Sequence, residues 1–435
     1  MLTRGEIPAI VFDDALAQLG TLVHTRPAFD IRTGALTNLQ RLASLLNLRV
    51  VALRTPDPLA PTTAERYAKG QHTIPVNAPF TPPGAPASPC DTILLINGRC
   101  VLPPVVNAES LDSESLASLP ASTAITDDVG TILACRVDPR AAAAFLSGAP
   151  LRPAATIRAA RSFTLDRPWS VRAHRDAALA VDLRLLIERL EDGGNFQGAI
   201  TFGRSRLRIH PSAKVYPGAI LDLEHGPIVI DQHAVVRPGA IVIGPVYIGA
   251  HTTINEHATI RAQTSIGPWC KVGGEVAGTI FQAFSNKGHD GYLGDSYLGE
   301  WVNLGAATNN SNLLNTYGEI IAKATPTSSN ERTGQQFLGC VLGDHVKTAI
   351  GTRIMTGSIV GTGTMWAATE PVSGCVDAFQ WRTDAGARAY RFEKFMEVAR
   401  AMMSRRAVTP SEAYMELLKD LSSPRSDTEG HGGKK

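Results

Sequence analysis

Between residues 230 and 272 the apolar positions keep a strict six-residue spacing: Ile230, Val236, Val242, Ile248, Ile254, Ile260, Ile266 and Val272. An α-helix turns every ~3.6 residues and would scatter these side chains around its axis. A single strand alternates its two faces and does not run unbroken over such a length. The spacing predicts a solenoid of very short strands with a corner every six residues, three hexads to a triangular coil and the aliphatic side chain pointing inward. Small or β-branched residues stand two places before the aliphatic one (Ala234, Ala240, Thr252, Ala258, Thr264, Cys270), and glycine often follows it (Gly249, Gly267, Gly299, Gly305, Gly343, Gly361), as compact corners require. The rhythm starts near Ile209 and Val215, returns at Leu298 and Leu304, and runs again through Leu342, Thr348, Ile354 and Val360. A polar insertion, Asn309 to Gln336, interrupts it, and loops of that length are usually functional or disordered.

The chain before the solenoid reads differently. Short apolar runs (Ala9–Phe12, Val50–Leu53, Thr92–Ile96, Ile132–Cys135) alternate with helical stretches such as Leu36–Leu46 and Asp176–Leu190, which predicts an α/β domain. The proline-rich stretch Pro75–Pro89 reads as a loop. Beyond Asp384 the pattern turns helical, with an apolar stripe at Tyr390, Phe392, Phe395, Met396, Val398, Met402 and Met403. A second helix is expected behind Thr409–Pro410, from Ser411 to near Leu421, followed by a polar tail expected to be disordered. The predicted units are therefore 1–205, 206–372, 373–421 and 422–435.

Composition narrows the class. The 435 residues are 44% hydrophobic and 19% charged with a formal net charge of +2, which gives no reason to invoke nucleic acid or a membrane surface. Six cysteines lie scattered with no CxxC pair, favouring reduced thiols over disulfides or a zinc site. The N-terminus carries acidic residues where a secretory signal needs an apolar core, and no stretch reaches membrane-span length, so a cytoplasmic location is expected.

Once the regular coils are set aside, one dense polar segment remains, Ser285 to Asp295, closely followed by Asn303 and Thr308–Asn312. His233, His251 and His257 occupy mid-hexad positions expected to face solvent. His289 instead sits at a break in the rhythm, near glycines and beside a carboxylate. A histidine there suits a general base that takes a proton from an amine or hydroxyl nucleophile.

The string Gly288-His289-Asp290-Gly291-Tyr292-Leu293-Gly294-Asp295, with Val302-Asn303-Leu304-Gly305-Ala306 after it, resembles the acetyltransferase half of GlmU-type bifunctional enzymes. Those enzymes join a sugar-1-phosphate uridylyltransferase to a left-handed parallel β-helix that acetylates glucosamine-1-phosphate, in the biosynthesis of UDP-N-acetylglucosamine. The resemblance implies that His289 is the general base and that Asn312 assists near the amino sugar. It implies substrate contacts from Arg261, Tyr292 and Asn303, and Ala306 against an acetyl-CoA pocket. A lysine expected between the arginine and the histidine has no counterpart in Val276–Thr279; Lys287 is the candidate substitute. Helices replace the usual final coils and basic tail.

The N-terminal half resembles a divergent group of the same nucleotidyltransferases, through Phe12-Asp13-Asp14, Thr25-Arg26-Pro27 and Arg32-Thr33-Gly34. The usual glycine-rich phosphate loop is missing. Arg26 and Arg32 are the candidate nucleotide contacts; the alternative for Arg26 is a structural turn. Where the resemblance calls for a Mg2+-binding aspartate after the strand Thr92–Ile96, the chain has Arg99, so no metal ligand is assigned. Asp13 and Asp14 are either substitute ligands or helix caps.

The expectation is thus a cytoplasmic transferase, homotrimeric as such β-helices usually are, moving an acyl group from acyl-CoA to an amino-sugar phosphate. Two rivals stand beside it: a sugar-1-phosphate nucleotidyltransferase whose solenoid only trimerises it, and a non-catalytic trimeric scaffold or sensor.

Overall fold

The computed structural model describes residues 6–68, 73–78 and 92–423. The N-terminal half contains β1 (Ile7–Phe12), α1 (Asn38–Leu45), β2 (Leu48–Arg54), α2 (Ala60–Tyr67) and β3 (Ile93–Asn97). A small hairpin, β4 (Val105–Val106) and β5 (Glu109–Ser110), precedes α3 (Ser113–Ala117), β6 (Thr123–Thr126), β7 (Ile132–Val137), α4 (Pro139–Leu146), β8 (Ala155–Arg158) and the long α5 (Ser170–Arg189). Six strands form one sheet in the order β2-β1-β3-β7-β6-β8, parallel except for β7. The carboxyl ends of the other five therefore meet on one edge, where open α/β sheets bind ligands. Thr37 starts α1 with a capping box, its hydroxyl accepting from Gln40 N while the Gln40 side chain takes the Thr37 N–H. Of the predicted proline-rich loop, Pro75 and Asn77 pair with Leu53 at the sheet edge, and residues 79–89 lie outside the described residues.

From residue 200 to 383 the chain winds as a parallel β-solenoid with three faces. The first face holds nine strands, from Leu207–Ile209 to Cys375–Val376. The second starts with Lys214–Val215, Val235–Val236, Thr253–Ile254, Lys271–Val272 and Asn286–Lys287, and continues through a bridge at Asn303 to Lys347–Thr348. The third runs from Ile200–Gly203 to Tyr292–Gly294. All eight residues of the six-residue series have 0% exposure and belong to one interior cluster, as the period demands.

Corners take non-glycine residues in the left-handed region more often than the glycine pattern suggests. His233, His251, Trp269, Phe284, Trp301 and His345 all have φ between 55° and 63°. Their rings form one column along the corner between the first and second faces, with centroids 4.8, 4.1, 6.4, 4.3 and 6.4 Å apart. Each left-handed residue costs about 1–2 kcal/mol, and ring stacking returns about 0.5–1.5 kcal/mol per pair. His233 and His251 are thus members of a ladder rather than isolated surface side chains, whereas His257 lies at another corner.

The middle of the first face is buried on both sides, and several of its strands there read as unbroken apolar triplets, such as Ile228–Val229–Ile230 and Val246–Tyr247–Ile248. Helix α5 lies on it, packing Leu179, Leu183 and Ile187 against Val229 and Tyr247. The insertion forms a short antiparallel pair, Ile321–Ala322 with Glu331–Arg332. Ile320, Ala322 and Leu338 join Leu19, Leu22 and Trp169 in a cluster with Tyr297 and Val341, so the insertion clamps the two halves together.

After an antiparallel strand pair, Gln380–Thr383 with Gly386–Ala389, come α6 (Phe392–Ser404) and α7 (Glu412–Ser422), the latter capped by Ser411. Phe395, Met396 and Met403 of the predicted stripe are buried, while Val398 is exposed. The end of the predicted tail, from residue 424, lies outside the described residues.

Candidate functional site

His289 is exposed at the corner between the second and third faces, in the turn from Asn286–Lys287 to Tyr292–Gly294. Lys287 anchors that turn from below. It pairs with Val272, placing it in the inward column formed by Val236, Ile254 and Val272, and it is 2% exposed. Its Nζ donates to the carbonyls of His289 (2.7 Å) and Gly273 (3.1 Å), and burial pushes its pKa down to about 8. Lys287 is therefore no substrate contact: the inward register that hides it from solvent turns it into a support for the His289 backbone. Ala306 is half-buried at the same corner one coil on, where the adjacent Ala307 N–H bonds the Asp290 carbonyl at 3.0 Å.

On the third face the chain brings Arg261, Tyr292 and Asn312 together. Arg261 Nε lies 2.5 Å from Glu275 Oε1, and Glu275 pairs in register with Tyr292. The Asn312 amide donates to Tyr292 Oη at 3.1 Å and to Asp295 Oδ2 at 2.8 Å. Burial, with Asp295 and Glu275 adding to it, holds the Tyr292 hydroxyl above its ordinary pKa, so it is a neutral hydrogen-bonding group. With both N–H bonds of Asn312 engaged, its carbonyl oxygen remains as an acceptor. Asp295 is the member that sequence reasoning missed: it also meets two arginines of α5, Arg175 NH1 at 2.8 Å and Arg172 Nε at 3.3 Å. Its place in the quoted string was a signal, but its partners lie more than a hundred residues away.

Asn303 stands apart, on the second face, accepting from the Asn286 amide at 2.8 Å and bridging to Lys347. His289 occupies the corner between it and the Tyr292 cluster. A substrate reaching all of them must straddle that corner.

The carboxyl edge of the N-terminal sheet is organised around Arg99. Its guanidinium takes Asp14 through two bonds (2.8 and 2.9 Å) and Asp166 at 2.5 Å. Although burial opposes the charge, these carboxylates hold Arg99 above its ordinary pKa, and Arg99 in turn holds Asp14 below its own. A divalent cation does not fit here, since a fixed guanidinium already fills its electrostatic place. Among the described residues no group of three or more His, Cys, Asp or Glu side chains is arranged to hold a metal. Asp13 accepts the backbone N–H groups of Ala15 (3.0 Å) and Ala28 (2.7 Å), organising the loop after β1. Along the same edge, beyond β6 and β8, a polar cavity of about 590 Å³ is lined by Asn107, Asp127, Asp128, Arg158 and Arg161 among others.

The two candidate nucleotide contacts have other work. Arg26 is 1% exposed and forms a two-pronged pair with Asp344 of the solenoid (3.0 and 2.7 Å), with Glu300 at 3.3 Å. Arg32 donates from its backbone to Gln282 Oε1 (2.9 Å) and from Nε to the Gln282 carbonyl (3.2 Å). Both are buried fasteners between the halves, so their guanidinium groups are closed to a nucleotide phosphate.

No helix among the described residues is long and apolar enough to cross a membrane. Residues 9–190 match the profile of a family described as sugar nucleotidyl transferase. A bifunctional protein GlmU from Rippkaea orientalis is 29% identical over 132 residues, covering 29% of this chain and 28% of that protein. A bifunctional sugar-1-phosphate nucleotidylyltransferase/acetyltransferase from Sulfurisphaera tokodaii is 32% identical over 138 residues, 31% of this chain and 34% of that protein. The match thus spans about a third of the length of these curated relatives. A solved UDP-N-acetylglucosamine acyltransferase from Francisella novicida aligns at 15% identity and a TM-score of 0.19, covering 52% of this chain and 76% of that one, a likeness too slight to bear on function.

Proposed function

We propose, for this divergent relative of the GlmU-type bifunctional proteins, that the solenoid transfers an acyl group from acyl-CoA to the amine of an amino-sugar phosphate such as glucosamine-1-phosphate. The observation that carries the reading is the corner at His289: an exposed imidazole on a turn anchored by Lys287, flanked by the cluster of Arg261, Tyr292 and Asn312. In the proposed reaction the sugar amine attacks the thioester carbonyl while His289 takes its proton. The new C–N bond forms, the C–S bond breaks, and the departing thiolate recovers the proton from the imidazolium. Tyr292 and Arg261 would hold the phosphate, Asn303 the sugar from the second face, and Ala306 would line the donor's path. The same reading takes the protein to be cytoplasmic and trimeric, acting in UDP-N-acetylglucosamine formation, with unit boundaries near residues 205 and 372.

Mixing the protein with acetyl-CoA and glucosamine-1-phosphate and following free thiol tests this directly. His289→Ala should slow release by about 10²–10⁴-fold. No thiol across several amino-sugar phosphates, or equal rates in the two proteins, refutes it.

The polar cavity beyond β6 and β8 favours a second reading, in which the N-terminal half binds or transfers a sugar-1-phosphate. Pyrophosphate released from a nucleoside triphosphate and a sugar-1-phosphate, and lost in Arg161→Ala, supports it; no release leaves that half as a scaffold.

A further inference from the structure

Of the two α5 arginines that meet Asp295, one is left short of hydrogen-bond partners. Arg175 is held at two of its three nitrogens: it is 4% exposed, its Nε lies 2.7 Å from Asp176, and its NH1 donates to Asp295 and to the Gly278 carbonyl. Arg172, one helical turn earlier on α5, has only the second claim on Asp295, at 3.3 Å. Among the described residues its guanidinium makes no hydrogen bond: Nε is shielded from solvent with that ion pair alone, and the side chain is 23% exposed. The other carboxylate of the cluster, Glu275, is taken by Arg261.

The Gln335 amide donates to the Trp169 carbonyl at 3.0 Å and Arg167 pairs with Glu331 at 2.8 Å, so the insertion is tied to the start of α5 beside Asp295. The solenoid stretch beneath, Val276–Thr279, contributes no cation of its own. A guanidinium with unspent donors, in a partly shielded corner where Asp295 is linked through Asn312 to the neutral Tyr292 hydroxyl, is suited to bind a phosphate through two parallel N–H bonds.

We propose that Arg172 of the N-terminal half binds the phosphate of the acceptor at the solenoid site, beside Tyr292. This rests on the amino-sugar-phosphate reading above and makes the two halves one catalytic unit. Arg175 is then the positioning residue that fixes Asp295 and, through it, Asn312.

The experiment compares kcat/KM for glucosamine-1-phosphate with that for glucosamine, in the full chain and in Arg172→Gln. The preference for the phosphorylated acceptor should fall by about 10–100-fold, chiefly through KM, and Arg172→Lys should restore part of it. Should the glutamine variant fold poorly, Arg172→Met keeps the packed stem and gives the same comparison. An active variant with the wild-type preference overturns the proposal. Calorimetry with inorganic phosphate separates it from the reading it rests on. If the wild type releases no thiol yet binds phosphate in an Arg172-dependent way, the acyl-transfer reading falls and the anion site stands. Phosphate binding that is absent, or equal in wild type and variant, overturns the site itself.

Discussion

Replacing Arg26 by methionine should separate the two halves energetically. In the wild type the guanidinium neutralises Asp344, itself 1% exposed, which also accepts the Thr25 hydroxyl and, at 2.7 Å, the Glu300 N–H. Methionine fills most of the volume but leaves a carboxylate buried with no cation, a change that costs about 3–5 kcal/mol. Adding Asp344→Asn removes that stranded charge, so the double variant should recover about 2 kcal/mol or more relative to the sum of the single changes. Urea unfolding followed by tryptophan fluorescence, with Arg26→Met, Asp344→Asn and the pair, provides the cycle. The pH dependence gives a second check. Arg26 outweighs burial and holds Asp344 below its ordinary pKa, so its contribution is complete above the unfolded value of about 4 and fades as pH falls through the lower folded value. The gap between wild type and Arg26→Met should be widest at neutral pH and narrow in acid. A loss below about 1 kcal/mol at pH 7, or strictly additive single changes, would refute the claim that this pair joins the halves.

Three further outcomes follow from the same structure. Lys287→Met should lower kcat by releasing the His289 turn. Because burial holds Lys287 near 8, the stability of the wild type relative to this variant should rise by about 1.4 kcal/mol per pH unit, the slope of one proton, between pH 8 and the unfolded lysine value of about 10.4; parallel stability curves would count against the buried ammonium. The thiols of Cys100, Cys270 and Cys340 are pushed up to about 12 by burial, so Ellman's reagent should react with them only after unfolding, and rapid labelling of the native chain at these positions would contradict their placement. Arg99→Asp would gather three carboxylates with Asp14 and Asp166. Its unfolding midpoint should rise with added Mg2+ while the wild type stays unmoved, and an equal response in both would contradict the charge balance described.

The limits of legibility can be traced to particular residues. The inward position of Lys287 escaped the six-residue rule because the coil there is short: Ile254 pairs with Val272, 18 residues on, but Val272 pairs with Lys287, only 15 on. Counting by six lost its phase at that point, and only strand pairing reveals that a lysine has taken an aliphatic place. Arg26 and Arg32 look like phosphate ligands in a local reading because they share a loop with glycine and threonine. Their partners, Asp344 and Gln282, stand 318 and 250 residues away. Arg172 reads as an ordinary surface residue of a helix until α5 is seen against Asp295.

What the amino-acid order determined by itself was therefore everything short-ranged and repeated. The period dictates the solenoid and its interior, the alternation of apolar runs and helical stretches dictates the α/β half, and the string around His289 marks the corner where chemistry is proposed. What the tertiary structure decided was which charges find each other. A buried arginine must be neutralised by whatever carboxylate the stacked coils bring within about 3 Å, and that distance is set by how two halves dock, not by neighbours in the chain. On that basis Arg26 became a fastener, Lys287 an internal support, and Arg172 a shielded guanidinium on α5 whose Nε lacks a hydrogen-bond partner.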